Sequence, residues 1–194
     1  VTALRVAQLI PDTEAEGPGR RFALWVQGCS LRCPGCCNPE MFAPDRGGEV
    51  LEAADVARRV LDTPGIEGLS VLGGEPFEQP RAVAEVCRAV RAGGLGVMVY
   101  SGYTLEELRA KRSAEVDALL AEIDLLADGR YDEKRPERRR RWLGSSNQRL
   151  HFFTARYRED DPRFLRPNTV ELRLEARRLT INGWPAAADA FRRR

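Results

Sequence analysis

Between residues 21 and 127, short apolar runs alternate with amphipathic helical segments, and the connections between them are brief. Residues 3–10 and 21–27 read as strands, the second mixing Phe22, Leu24, Trp25 and Val26 before Gly28 interrupts it. Ala53, Val56, Ala57, Val60 and Leu61 recur at helical spacing over residues 52–61, and Thr63, Pro64 and Gly65 stop the pattern. An apolar run at 69–72 enters Gly73 and Gly74. Over 79–92, Val83, Val86, Cys87 and Val90 define one helical face that ends at Gly93 and Gly94. A buried strand at 95–100 follows. Thr104 then opens a helix with Glu107 as its capping-box partner and Leu105, Leu108, Val116, Leu119 and Leu120 as its apolar side, and 123–127 returns as a strand. This alternation predicts an α/β sheet of parallel strands joined by right-handed crossovers, with ligands gathered at the strands' C-terminal ends. Residues 130–147 carry no periodicity and read as a long loop or lid, and 170–176 and 178–181 resemble an antiparallel pair closing near Asn182 and Gly183.

At 194 residues and 43% hydrophobic content, one domain over 1–194 is the expected organisation. With 31 Lys plus Arg against 29 Asp plus Glu, the net charge of +2 supplies no global field for nucleic acid or an anionic membrane. No basic segment leads into a signal-like apolar run, and no stretch is long enough to span a bilayer, so a cytoplasmic protein is expected. The single histidine, His151, excludes metal sites built on several imidazoles and reads as a structural residue.

Four of the five cysteines fall between Cys29 and Cys37, in the loop that leaves the second strand. Odd in number and crowded, they suit thiolate ligation better than disulfides. Cys29, Cys33 and Cys36 would wrap one small polynuclear cluster. Three ligands for four irons leave one iron open to chelate a small molecule, whereas an electron-transfer [4Fe–4S] cluster takes four. A zinc loop, or a four-thiolate site recruiting Cys37 or Cys87, is the alternative on the cysteines alone. Cys87 sits on the apolar face of its helix and reads as a core thiol. Cys37, beside Cys36, should point away from a cluster, toward packing or substrate. A second motif, Gly73-Gly74-Glu75-Pro76, follows a strand; the glycines allow close backbone approach and Glu75 can receive an ammonium group.

The cysteine spacing followed by Gly73-Gly74-Glu75-Pro76 resembles the radical S-adenosylmethionine (SAM) superfamily. Trp25 to Cys29, Cys33 to Cys36, Asn38-Pro39, Tyr100 to Thr104, Ala127 to Gly129, Gly144 to Gln148 and Thr180 to Pro185 are similar to the activating enzymes of anaerobic ribonucleotide reductases. The resemblance implies a partial, open βα barrel of parallel strands with a small C-terminal β extension. It implies a cluster loop at 28–38, a lid or loop at 130–147 and C-terminal strands at 169–185. It also implies a [4Fe–4S] cluster on Cys29, Cys33 and Cys36 whose open iron takes the amino and carboxylate groups of SAM. Gly35 and Cys37 would lie along the adenine, Gly73, Gly74 and Glu75 around the methionyl ammonium, Ser101 near the ribose or methionyl end, and Asp128 beside the same ligand. Arg130 would pair with the methionyl carboxylate, or else open the basic loop against Asp132 or Glu133. The expected outcome is a 5′-deoxyadenosyl radical that abstracts hydrogen from a partner's glycine, with a flavodoxin or ferredoxin as electron donor.

Five cysteines cannot build the second cluster domain that several other glycyl-radical activases carry, and Gly35 stands where many relatives have an aromatic residue. The run Arg138 to Arg141 has no counterpart in the resemblance; it reads as a solvated loop or a surface for an acidic partner. Asn147 and Gln148 fit either a cap or a ligand contact. Two other functions stay open on the sequence: a stand-alone radical enzyme modifying a peptide or small molecule, and a non-catalytic iron–sulfur or zinc module.

Overall fold

The computed structural model describes residues 1–176 and 178–184; Pro185, the last residue of the C-terminal motif, lies outside them. Strand β1 (Ala3–Thr13) leads through a glycine-rich loop to β2 (Arg21–Val26), and β3 (Glu49–Glu52) precedes helix α1 (Ala53–Leu61). Then come β4 (Gly68–Gly73), α2 (Pro80–Ala92), β5 (Gly96–Ser101), α3 (Leu105–Ala110), α4 (Ala114–Leu120), β6 (Leu125–Asp128) and β7 (Arg149–Phe152). Strands β8 (Val170–Glu175) and β9 (Arg178–Gly183) form a separate hairpin.

The main sheet has seven strands in the order β3-β1-β2-β4-β5-β6-β7. Only β2, β4, β5 and β6 run parallel; β1, β3 and β7 are antiparallel, so the all-parallel expectation is corrected to a mixed sheet. The reason lies in the connections. A parallel return needs a crossover of about a dozen residues, usually helical, and neither the loop between β1 and β2 nor the helix-free segment between β6 and β7 supplies one. The single helix expected after Thr104 is broken at Arg112, whose φ of 47° is left-handed, and Ser113 caps the second piece. The Thr104–Glu107 capping box is present.

Leu4, Val6, Phe22, Leu24, Val26, Leu69, Val71, Val97, Val99 and Leu126 point from one face of the sheet into the apolar sides of the helices. Cys87 is buried there, as its position on α2 predicts. Because β2, β4, β5 and β6 follow one another in space as they do in sequence, right-handed crossovers put every α-helix on that same face. The opposite face is left for chain segments without α-helices, which carry only short 3-10 turns at Pro39–Met41 and Pro162–Leu165. There Met98, Leu125 and Ala127 pack against Trp142, Leu143, Tyr157 and Phe164. Arg21, fully buried, ties this layer down: its guanidinium donates to Tyr157 Oη (2.8 Å), Ser70 Oγ (2.6 Å) and the carbonyls of Pro18, Leu69 and Gly96.

The segment carrying the arginine run is ordered by its own polar groups. The Glu137 carboxylate accepts the backbone N–H groups of Arg138, Arg139 and Arg140 and the Arg140 side chain. Arg141 is buried over the Trp142 ring and donates to Arg163 O and Thr169 Oγ1. Only part of the run is the solvated loop expected from composition.

The hairpin docks on the loop after β1. Glu171 accepts from Thr13 Oγ1 and Glu14 N, both at 2.7 Å, Asn182 Nδ2 donates to Thr13 Oγ1, and Gly183 N donates to Glu16 Oε1 at 2.7 Å. Burial pushes the Glu16 carboxyl up to about 7. An unfolded chain releases this proton near the ordinary 4.5 while the folded protein keeps it, so stability falls as pH rises through that interval and levels above about 7. Glu16→Gln keeps an acceptor for Gly183 and is expected to shrink the stability difference between about pH 5 and about pH 8 in urea denaturation. An undiminished difference would contradict the assignment.

Candidate functional site

The strand ends bring the two sequence motifs into contact. After β2 the chain turns at Gly28, whose N–H donates to Met41 O, and Cys29 N–H donates to Phe42 O. Gln27 Nε2 donates to the carbonyls of Glu40 and Ala43, closing the loop from behind. After β4, Gly74 N–H donates to Val26 O and Glu75 N–H to Gly28 O, each at 2.8 Å. A Cβ on Gly74 would run into the Gly28 carbonyl, and Gly73 holds a φ of 100° against the Val26 backbone. The two glycines therefore serve the approach of one loop to the other. Glu78, which sequence reasoning passed over, fastens the cysteine loop by accepting from Ser30 N (2.8 Å) and Ser30 Oγ.

Cys29, Cys33, Cys36 and Cys37 line a cleft of about 250 Å³ together with Gly73, Gly74, Glu75, Ser101, Gly102 and Gly129. The thiols are spread along the cleft, and among the described residues no three His, Cys, Asp or Glu side chains close on a single point. Burial pushes the Cys29 and Cys33 thiols up, while the backbone N–H groups of Leu31 and Arg32 at Cys29 and of Tyr131 at Cys33 oppose that shift. Half-buried thiols with amide donors aimed at sulfur fit a cationic iron cluster, whose charge favours thiolate and whose sulfurs take such hydrogen bonds. The donor set thus fits a [4Fe–4S] cluster on three thiolates.

Glu75 is buried and its carboxylate accepts from Phe77 N (3.0 Å), Ser101 Oγ (2.9 Å) and Gly102 N (2.8 Å). Burial pushes its carboxyl up to about 7 despite these donors. A carboxylate offers about four acceptor directions, so Oε2 keeps one for a further donor. Ser101 Oγ in turn accepts from Tyr103 N, which fixes the turn after β5. Gly35, at φ 71°, faces the Glu133 side chain and does not line the cleft.

Asp128 and Arg130 lie outside the residues that line the cleft. Asp128 is fully buried outside the cleft lining, accepting from Leu105 N (2.6 Å) and Arg149 (2.8 and 3.1 Å), with His151 Nε2 2.9 Å away. It joins the ends of β6 and β7 to the start of α3. Arg130 pairs with both oxygens of Glu107, at 2.8 and 2.9 Å, and not with Asp132 or Glu133. The capping-box glutamate thus engages the arginine beside the cleft, where its charge still favours the Cys33 thiolate, a coupling invisible at the level of the Asp128–Arg130 spacing. Gln148 lines the cleft and accepts from Gly144 N and Ser145 N, whereas Asn147 donates to Arg130 O.

The cleft continues down the sheet's helix-free face. Gln8, Trp25 and Leu72 stand in register on β1, β2 and β4, with Tyr100 beyond them, and Trp142, Ile181, Asn182 and Trp184 form the facing wall with Glu16. None of these was singled out from the sequence as a site residue. Asn182 and Gly183 read there as a turn within the Thr180 to Pro185 motif, with no contact assigned to them.

Against known proteins, the family model of a 4Fe-4S single cluster domain matches residues 15–151. An anaerobic ribonucleoside-triphosphate reductase-activating protein of Escherichia coli K12 is 32% identical over 152 residues, covering 74% of this chain and 96% of that protein. Proteins of the same name from Vibrio cholerae and phage T4 are 31% and 29% identical, over 76% and 74% of this chain and 97% and 90% of their own lengths. No helix among the described residues is long and apolar enough to cross a membrane. With a half-buried thiol loop suited to one cluster, and with these matches over most of its length, the chain belongs to the radical SAM family of anaerobic ribonucleoside-triphosphate reductase-activating proteins.

Proposed function

We propose that this chain generates a glycyl radical on an anaerobic ribonucleotide reductase, with a [4Fe–4S] cluster held by Cys29, Cys33 and Cys36. The observation that carries the reading is that these thiols share one cleft with Gly73, Gly74, Glu75 and Ser101 at the ends of parallel strands. When bound, the cluster supplies one electron to the sulfonium of SAM, giving methionine and a 5′-deoxyadenosyl radical. The chain's own groups orient and shield. Glu75 offers its remaining acceptor position to the methionyl ammonium, and an arriving cation would draw its raised carboxyl back toward the ionised form. Ser101, held by Glu75 and Tyr103 N, presents a fixed hydroxyl to the ligand. The backbone around Gly74 and the side of Cys37 complete the adjoining wall, and Gly35 gives the cysteine loop its left-handed turn. Asp128 acts as a positioning residue through Leu105 and Arg149.

The whole chain is read as one radical SAM domain, an open half-barrel whose helices cover one face and whose segment 130–147 lies over the cysteine loop, with Glu133 against Gly35. A cytoplasmic setting and an electron donor of the flavodoxin or ferredoxin type accompany this reading.

Anaerobic reconstitution is expected to give about four irons and four sulfides per chain, and dithionite with SAM should then yield 5′-deoxyadenosine. Single Ala replacements of Cys29, Cys33 or Cys36 should each abolish that product, while Cys87→Ala keeps the cluster. Stoichiometric zinc without iron–sulfur absorbance would sink the reading. Since Arg130 is held by Glu107, isothermal titration of reconstituted Arg130→Ala under argon should give a SAM dissociation constant within about twofold of the parent. A direct carboxylate pair would instead cost about ten- to a hundredfold.

A further inference from the structure

All three tryptophans of the chain, Trp25, Trp142 and Trp184, line the same cleft. Among the residues that line the cleft, the indole N–H groups of Trp142 and Trp184 and the Asn182 side-chain oxygen are buried with no hydrogen-bond partner among the described residues; Arg141 Nε, behind the Trp142 ring and outside the lining, is also unpartnered. Trp142 is 8% exposed and Asn182 6%. Buried donors and acceptors are nearly always paired, and leaving them unpaired is costly, so this wall is built for something that supplies the complementary groups. Two donors and one acceptor, all formally neutral, match amide groups, which offer one N–H and one C=O each.

The charge of the lining narrows the class further. The chain carries 31 Lys plus Arg, yet among the described residues no lysine, arginine or histidine lines the cleft, and the lining carboxyls are Glu16, Glu40 and Glu75. The nearby guanidinium groups of Arg21 and Arg141 are outside that lining and already donate to Leu69 O and Tyr157 Oη and to Arg163 O and Thr169 Oγ1, so a phosphate would find no lining cation to pair with. Neutral groups fit, particularly beside Glu16, which burial biases toward its neutral form. The facing floor of Gln8, Trp25, Leu72 and Tyr100 is flat and largely apolar, a surface along which an extended chain can lie.

We propose that this hairpin-walled part of the cleft is a subsite for peptide main chain, in which Trp142, Trp184 and Asn182 hydrogen-bond the amides flanking the partner's radical glycine. The inference rests on the activase reading and assigns its substrate-positioning residues. A glycine contributes no side chain, so recognition through backbone amides is the chemistry available for placing it. In the transfer step, the glycine Cα–H bond breaks homolytically, the hydrogen atom joins C5′ of the deoxyadenosyl radical, and the unpaired electron remains on the glycine.

The test uses the full, reconstituted protein with SAM, dithionite and a blocked synthetic peptide spanning the radical glycine of the ribonucleotide reductase from the same genome, deuterated at that glycine's Cα. Mass spectrometry reads the deuterated fraction of the 5′-deoxyadenosine formed, across a peptide titration. Trp142→Phe and Trp184→Phe keep an aromatic ring and remove only the N–H donor, and Asn182→Leu removes the acceptor at similar volume. Each should raise the peptide concentration for half-maximal deuterium transfer by at least about fivefold, as expected for the loss of roughly one hydrogen bond. Because the fraction is taken within each sample, a loss of folded enzyme lowers both forms alike. Parent-like titrations in all three variants would overturn the subsite, as would SAM cleavage by the parent with no deuterium transfer from the peptide. Absence of 5′-deoxyadenosine in the parent would instead remove the activase reading and the subsite with it.

Discussion

The passage of Gly73 and Gly74 across Gly28 is the contact on which the site depends. Backbone hydrogen bonds from Gly74 N to Val26 O and from Glu75 N to Gly28 O lock the turn after β4 to the residue immediately before Cys29. Any side chain at Gly74 would occupy the Gly28 carbonyl's place. From this contact the cysteine loop takes its position, Glu75 is directed inward to organise Ser101 and Gly102, and Glu78 reaches Ser30. Backbone-to-backbone contacts of this kind have no soft rotamers to relax through, so they suit a site that must hold a reactive group in register.

Helices on a single face have an equally direct consequence. Because successive crossovers turn the same way, the opposite face of the sheet is covered, among the described residues, by Met41 beyond the cysteine loop, the 130–147 segment, the residues around Tyr157 and the C-terminal hairpin. Those segments are held by polar anchors, namely Arg21 under Tyr157, Glu137 under the arginine run and Glu16 under Gly183. A cleft remains between them and the sheet. Helical packing would have closed it.

Legibility in the sequence followed interaction range. Strongly periodic elements such as α2, the Thr104 cap and the β8–β9 hairpin were readable because their determinants lie within a few residues of one another. The cysteine triad and Gly73-Gly74-Glu75-Pro76 were readable as motifs, and the structure brings them to one cleft. The short edge strand β3 was not readable, since Glu49, Val50 and Glu52 are exposed and carry no alternation. Nor was the fate of Arg130, which depends on Glu107 two elements earlier in the chain. The wall of Trp142, Asn182 and Trp184 is assembled from segments remote in sequence, and its signal, buried polar atoms without partners, exists only in three dimensions.

In the proposed mechanism, three thiolates leave one iron of the cluster open to SAM. Electron–nuclear double resonance on the reduced, cluster-loaded protein tests it most directly, with SAM labelled by nitrogen-15 at the methionyl amine and oxygen-17 at the carboxylate. The account predicts hyperfine coupling from both labels, marking both groups as iron ligands. Absence of coupling from either label, with the cluster instead completed by a fourth thiolate such as Cys37, would contradict it.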